Sequence, residues 1–108
     1  MIYIASPYSH PDPMIRSWRY YKALEYTGHC IKAGEVVFSP IVYGHYLALA
    51  GFAYTDHESW IDFNETILEV CSSMRVLTLP GWRESLGISH EIDFCYKNNI
   101  PMSEVSWG

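Results

Sequence analysis

Met74-Arg75-Val76-Leu77-Thr78-Leu79-Pro80-Gly81-Trp82-Arg83-Glu84-Ser85-Leu86-Gly87-Ile88-Ser89-His90-Glu91-Ile92-Asp93-Phe94-Cys95-Tyr96-Lys97-Asn98-Asn99 is the stretch on which the fold turns. Met74 to Leu79 is an apolar run of strand length, broken by Pro80-Gly81. A polar loop, Trp82 to Ser85, follows. From Gly87 the pattern becomes helical, with Ile88, Ile92 and Cys95 on one face and Glu91 one turn after Gly87. A strand, a Gly-containing loop and a helix start make a geometry that holds anions. The first-turn N–H groups lack internal partners, and the helix dipole favours negative charge there. The Glu91 carboxylate would look across the same mouth. The spacing therefore suggests a phosphate cradle with an acid beside it; it also fits an ordinary βα turn whose Glu faces water.

Working outward, Met1 to Ala5 is apolar on both faces, as a central parallel strand is. It ends in a loop rich in turn residues, Ser6 to Pro13, where Asp12 suits an N-cap and Pro13 the first helical position. The helix runs to about Ala33, with Met14, Trp18, Tyr21, Leu24, Gly28 and Ile31 on one stripe expected to face the core. Gly34 suits the C′ position. Val36 to Phe38 is the second strand, closed by Ser39-Pro40, so the opening unit reads βαβ with a right-handed crossover. Ile41 to Tyr54, with two glycines, reads as a helical or irregular excursion over the carboxyl ends of the strands. A second helix starts near Thr55 or Asp56 and runs to about Ser72. At about 3.6 residues per turn, it places Trp60, Phe63, Asn64, Ile67, Leu68 and Cys71 on one face and turns Asp62, Glu65, Thr66 and Glu69 away. After the Gly87 helix, Ile100-Pro101-Met102 makes a short edge strand, because Pro101 cannot donate to a ladder. Ser103 to Gly108 is a tail.

This order predicts an α/β fold: an open, mostly parallel sheet of the Rossmann or flavodoxin-like three-layer kind, with helices on both faces. Ligands on such sheets bind outside the carboxyl ends of the strands, which gathers the loops after Ala5, Phe38 and Leu79 at one rim.

The chain of 108 residues suits one domain over 1–108, and 49% hydrophobic against 18% charged residues argues for a packed core. A net charge of −5 with no basic patch disfavours a nucleic-acid backbone as partner but permits a single nucleotide held by backbone N–H groups. The cysteines, Cys30, Cys71 and Cys95, are odd in number and form no C-x-x-C, so reduced core thiols are expected. No apolar run reaches membrane-spanning length and the start of the chain lacks a signal-peptide pattern, so a cytoplasmic protein without a membrane partner is expected. His10, His29, His45, His57 and His90 show no metal-binding spacing; neither a metal nor a cofactor is expected.

Leu79 to Glu91 (L-P-G-W-R-E-S-L-G-I-S-H-E) and Ile2 to His10 (I-Y-I-A-S-P-Y-S-H) resemble a small bacterial and phage family of unassigned function. That family lies within the nucleoside 2-deoxyribosyltransferase-like superfamily. The resemblance covers nearly the whole chain, and its most specific motif is P-G-W-x-x-S-x-G-x-x-x-E. Superfamily members cleave or exchange the N-glycosidic bond of deoxynucleosides or their 5′-monophosphates. By resemblance, Glu91 attacks the anomeric carbon, Ser85 and Gly87 hold a phosphate, and Tyr3 contacts the catalytic Glu. Ser6, Pro7 and Tyr8 line the nucleotide pocket, and Gly81 and Trp82 belong to its loop. Homodimers or higher homo-oligomers are implied, with a neighbour completing each pocket.

The residue types suit that chemistry. A carboxylate can trap or stabilise the oxocarbenium-like sugar left when a base departs, and the base needs a proton. Relatives supply it from an Asp where this chain has Asn64, and an amide cannot donate a catalytic proton. Asp62 is the nearest carboxylate but points outward; Tyr8, His10 or His45 could serve instead, and Glu84 loosely matches a second family carboxylate. Trp82 and Tyr8 either stack a base or cover the sheet end. Arg83 either meets a phosphate or stays solvated. His90 is expected to face solvent, and Cys95 to be an inert core thiol. The leading expectation is an N-glycosidase acting on a (deoxy)nucleoside 5′-monophosphate. A base-exchanging deoxyribosyltransferase and a non-catalytic nucleotide-binding module are the alternatives, the last favoured by Asn64.

Overall fold

The computed structural model describes residues 1–53 and 56–107. Four strands form one parallel sheet: β1 (Ile2–Ala5), β2 (Val37–Phe38), β3 (Ser73–Leu77) and β4 (Met102–Val105), in the order β2-β1-β3-β4. Four helices connect them: α1 (Pro13–Lys32), α2 (Pro40–Leu49), α3 (His57–Glu69) and α4 (Leu86–Lys97), with a 3-10 turn at Trp82–Glu84. The fold is an α/β fold with an open sheet, as the sequence predicts. The strand order reverses between β1 and β3, and a crevice for ligands opens where neighbouring connections leave in opposite directions.

The period-2 alternation of the strands sorts side chains to two cores. Tyr3, Ala5, Met74 and Val76 face α3 and α4, where they pack with Leu68, Cys71, Ile88 and Cys95. Ile4 and Leu77 face α1, where they meet Tyr26 and Cys30. Helices therefore cover both faces of the sheet.

Local signals set most boundaries. Asp12 caps α1 by accepting from the Met14 N–H at 2.9 Å, and Gly34 takes φ +84° just past its end. Ser39 caps α2 by accepting from Val42, and Asp56 caps α3 by accepting from Ser59. The alternative start at Thr55 lies outside the described residues, and α3 stops at Glu69, short of Ser72. The excursion after Phe38 is helical from Pro40 to Leu49; its expected end at Tyr54 lies outside the described residues.

Two expectations are corrected. The stripe Met14, Trp18, Tyr21, Leu24 and Ile31 is exposed; α1 instead buries Arg19, Ala23, Tyr26, Thr27 and Cys30. Ala23 and Cys30 are small enough to bring the helix close to the sheet, which the bulkier stripe would hold off. The last strand is Met102–Val105 rather than Ile100–Met102. Asn99 turns the chain with φ +56° and the Ile100 N–H returns to the Cys95 carbonyl, so the strand starts two residues later. The expected tail thus supplies most of an edge strand, and Trp107 packs on Tyr26 and His29. Among the described residues no helix is long and apolar enough to cross a membrane.

Candidate active site

Glu91 stands where the packing of α4 calls for an apolar side chain. Ile88, Glu91 and Cys95 are the buried residues of the helix, and Glu91 is 7% exposed. Because Tyr3 faces α4 from β1, its hydroxyl reaches across and donates a hydrogen bond to Glu91 Oε2. Among the described residues no ion pair reaches this carboxylate. Burial without a cation favours the neutral acid and pushes its pKa up to about 7, while the Tyr3 bond pulls the other way. The Tyr3 phenol is driven far above its ordinary value, by burial first and then by the neighbouring carboxylate.

Glu91 opens onto a cavity of about 330 Å³ at the β1–β3 reversal, within the range of small-ligand sites. The β1–α1 loop contributes Ser6, Tyr8 and Ser9, and α2 contributes His45 and Gly44. Trp60 and Asn64 of α3, with Asp56 and His57 at its start, form a further wall; Glu84, Ser85 and Gly87 complete the mouth. A Cβ on Gly44 would come within 3.3 Å of the Trp60 ring, so glycine lets α2 close on α3.

Among the described residues, two polar atoms in this wall are buried without a partner: Ser6 Oγ and Asn64 Oδ1. Buried polar atoms are ordinarily satisfied, and leaving one unpaired costs about 1–3 kcal/mol.

At the start of α4, Ser85 Oγ accepts from the Ile88 N–H at 3.2 Å, which leaves its own proton free to donate. Gly87 is next to His57, whose Nδ1 would lie 3.6 Å from a Cβ at that position. His90 is not simply solvated: its Nε2 is 3.0 Å from Glu65 and its ring lies edge-on to His57 at 5.8 Å. On the α2 side, Tyr8 Oη and His45 Nδ1 are 2.6 Å apart. His45 stacks on Tyr20 at 3.9 Å, and burial, then Arg16, hold its pKa below the ordinary value. Burial pushes the Tyr8 phenol up, with Arg16 opposing.

The structure thus gathers Glu91, Asn64, Ser6, Tyr8, Ser85 and Gly87 around one cavity, with Tyr3 behind Glu91. Pro7, Gly81 and Trp82, expected to bind substrate, lie outside its lining. Pro7 is wholly buried in the packing. Gly81 has φ +90° and abuts the Arg19 guanidinium, which donates to the Ser9 carbonyl at 2.9 Å and the Pro80 carbonyl at 3.1 Å. Its role is to let Arg19 fasten two rim loops together. Trp82 packs on the α3/α4 core and carries Arg83 at 5.1 Å from its ring. Asp62 is exposed and off the cavity, His10 accepts from the Asp12 N–H, and Cys95 is buried 3.8 Å from Met74 Sδ with its thiol pushed up to about 11 by burial. His57 and Gly44 are cavity residues that sequence reasoning did not single out. A glycine inside a short helix is the signal that points to Gly44; His57 has none. Among the described residues no His, Cys, Asp and Glu group could hold a metal.

The fold is that of an α/β protein with an open parallel sheet, and at its reversal point stands a buried carboxylate that forms no ion pair among the described residues. The chain belongs to the family described as a domain of unknown function, DUF1937, whose model matches residues 1–107. No curated protein matches it.

Proposed function

We propose that the protein is an N-glycosidase that hydrolyses the base–sugar bond of a (deoxy)nucleoside 5′-monophosphate, with Glu91 as nucleophile. One observation carries the reading. Glu91 is buried without a cation, held by Tyr3, and faces a cavity that also contains two unpartnered polar atoms. A carboxylate in a dry wall attacks or stabilises a sugar cation far better than a solvated one. The α4 N-terminus, Ser85 and Gly87 offer N–H and O–H donors for a phosphate, and Ser6 and Asn64 offer acceptors for sugar or base. The reading agrees with the resemblance to the nucleoside 2-deoxyribosyltransferase-like superfamily.

The nucleophile must be ionised, so the rate should climb with pH through about 7 and level off above it. The test is incubation with a panel of nucleoside 5′-monophosphates followed by chromatography. Free base and sugar phosphate are expected from the wild type and not from Glu91→Ala. Base release unchanged by Glu91→Ala would remove Glu91 from the mechanism. A new nucleotide on adding a second base would indicate exchange. Nucleotide-induced thermal stabilisation without turnover would leave a binding module, the reading that Asn64 favours.

Two further proposals follow from the same reading. The exposed stripe of α1 runs along a 20-residue helix, and apolar surface of that extent suits a second copy of this chain. Trp18→Glu should then lower the sedimenting mass, and an unchanged monomer in both proteins would contradict this. The cytoplasm is the proposed compartment, supported by three buried free thiols.

A further inference from the structure

Asn64 cannot protonate a departing base, so a hydrolase of this kind needs another donor in the same cavity. Most other groups are committed elsewhere. Asp56 accepts from both the N–H and the hydroxyl of Ser59, which keep its carboxyl below the ordinary range. Glu84 is exposed. His57 stands beside Gly87, at the end assigned to phosphate.

Resting on the glycosidase reading, we infer that the Tyr8 hydroxyl is the proton donor to the leaving base and that His45 positions it. Both side chains line the cavity that Glu91 faces, and their polar atoms are 2.6 Å apart. They come from different elements, the β1–α1 loop and α2, so the pairing depends on the tertiary fold. His45 is itself fixed: Tyr20 of α1 stacks on it, and Tyr46 of α2 lies edge-on at 5.0 Å. Arg16 of α1 acts on the pair and disfavours a positive charge on the imidazole, and Arg19 of α1 meets the Tyr8 carbonyl at 3.5 Å. A neutral His45 with its proton on Nδ1 donates to Tyr8 Oη and leaves the phenolic proton free for the cavity. Burial keeps that phenol protonated through neutral pH, so the donor stays loaded.

The steps balance. Glu91 bonds to C1′ as the C1′–N bond breaks, and the electron pair of that bond goes to the base nitrogen. The base takes the Tyr8 proton, and the His45 N–H stabilises the tyrosinate. Water then attacks C1′ and releases the Glu91 carboxylate, and the water's proton restores Tyr8. The net change is nucleotide plus water to base plus sugar phosphate.

The test compares two leaving groups: the bases of the nucleotide panel, and 4-nitrophenolate on 2-deoxyribose 5-phosphate, which departs without a proton. Tyr8→Phe should lower kcat on nucleotides by about 10²-fold or more and change the nitrophenyl rate by less than about threefold. His45→Gln should lower kcat on nucleotides by a smaller factor, leaving KM and the nitrophenyl rate near wild type. Thermal denaturation verifies that both variants are folded. Equal loss on both leaving groups, or loss on neither, overturns the assignment while the glycosidase reading stands. Failure of the wild type to cleave either compound overturns the glycosidase reading and this assignment together.

Discussion

Each face of the sheet holds one carboxylate of interest, and the two are treated in opposite ways. On the α1 face, Glu35 forms a paired salt bridge with Arg75 of β3, whose guanidinium also donates to the Tyr26 hydroxyl at 3.1 Å. The Arg75 hydrogen bonds and charge hold the Glu35 carboxyl below its ordinary value, and the pair remains partly open to water. On the α3/α4 face, Glu91 is buried deeper, meets a neutral phenol instead of a cation, and is pushed the other way. A carboxylate that only joins two elements is stable with a cation beside it. One kept without a cation in a dry wall destabilises the fold, and that pattern is characteristic of functional sites.

The contrast is open to attack at several points. Glu91→Gln should have the largest effect, lowering base release by at least about 10³-fold while stabilising the protein. The sign follows from the raised pKa. Below about 4.5 the acid is protonated in both folded and unfolded chains and the variant gains nothing. As pH rises from there to about 7, the folded protein keeps a proton that the unfolded chain has released, and native stability falls. Chemical denaturation at pH 8 should therefore find Glu91→Gln more stable by roughly 3 kcal/mol, and at pH 4 nearly equal to wild type. A destabilised variant at pH 8 would mean that Glu91 is structural.

Arg19→Ala comes next. It removes the bonds to the Ser9 and Pro80 carbonyls beside the cavity, and should cost about 1–3 kcal/mol in denaturant titrations and raise KM more than it lowers kcat. An unchanged KM would separate the rim clamp from the site. Arg75→Met should have the smallest effect: a fall in Tm of a few degrees at most and unaltered kcat/KM, since partly exposed pairs contribute little. Its pH dependence should be the reverse of that of Glu91. The stability from Glu35 is present above its ordinary pKa and lost as pH falls through the depressed one, so the gap between variant and wild type should close in acid.

The fold was legible where backbone chemistry punctuates the chain. Asp12-Pro13, Ser39-Pro40 and Gly34 mark element ends for local reasons that tertiary packing does not override, whereas the strand expected to run to Leu79 before Pro80-Gly81 ends at Leu77. The spacing after the Gly loop pointed to Glu91 but fitted a water-facing Glu equally well; its burial follows from sharing the packed face of α4 with Ile88 and Cys95. Legibility failed where one pattern serves two faces. On α1 both stripes are apolar enough to be buried, and the choice was made by side-chain size against the sheet. Gly81 resembled a ligand-loop glycine, yet its open φ and missing Cβ make room for Arg19, 62 positions earlier in the chain. The Tyr8–His45 contact spans 37 residues and two elements, so no local spacing records it.

The most direct measurement is mass spectrometry of the protein after reaction with 2′-deoxy-2′-fluoro-arabinonucleoside 5′-monophosphates. The fluorine destabilises the sugar cation in both steps, and a glycosyl-enzyme can accumulate. The expected result is a mass gain of one fluorinated sugar phosphate, located in the α4 peptide at Glu91 and absent from Glu91→Gln. Base release with no labelled protein, or a label on another residue, would contradict a nucleophilic Glu91.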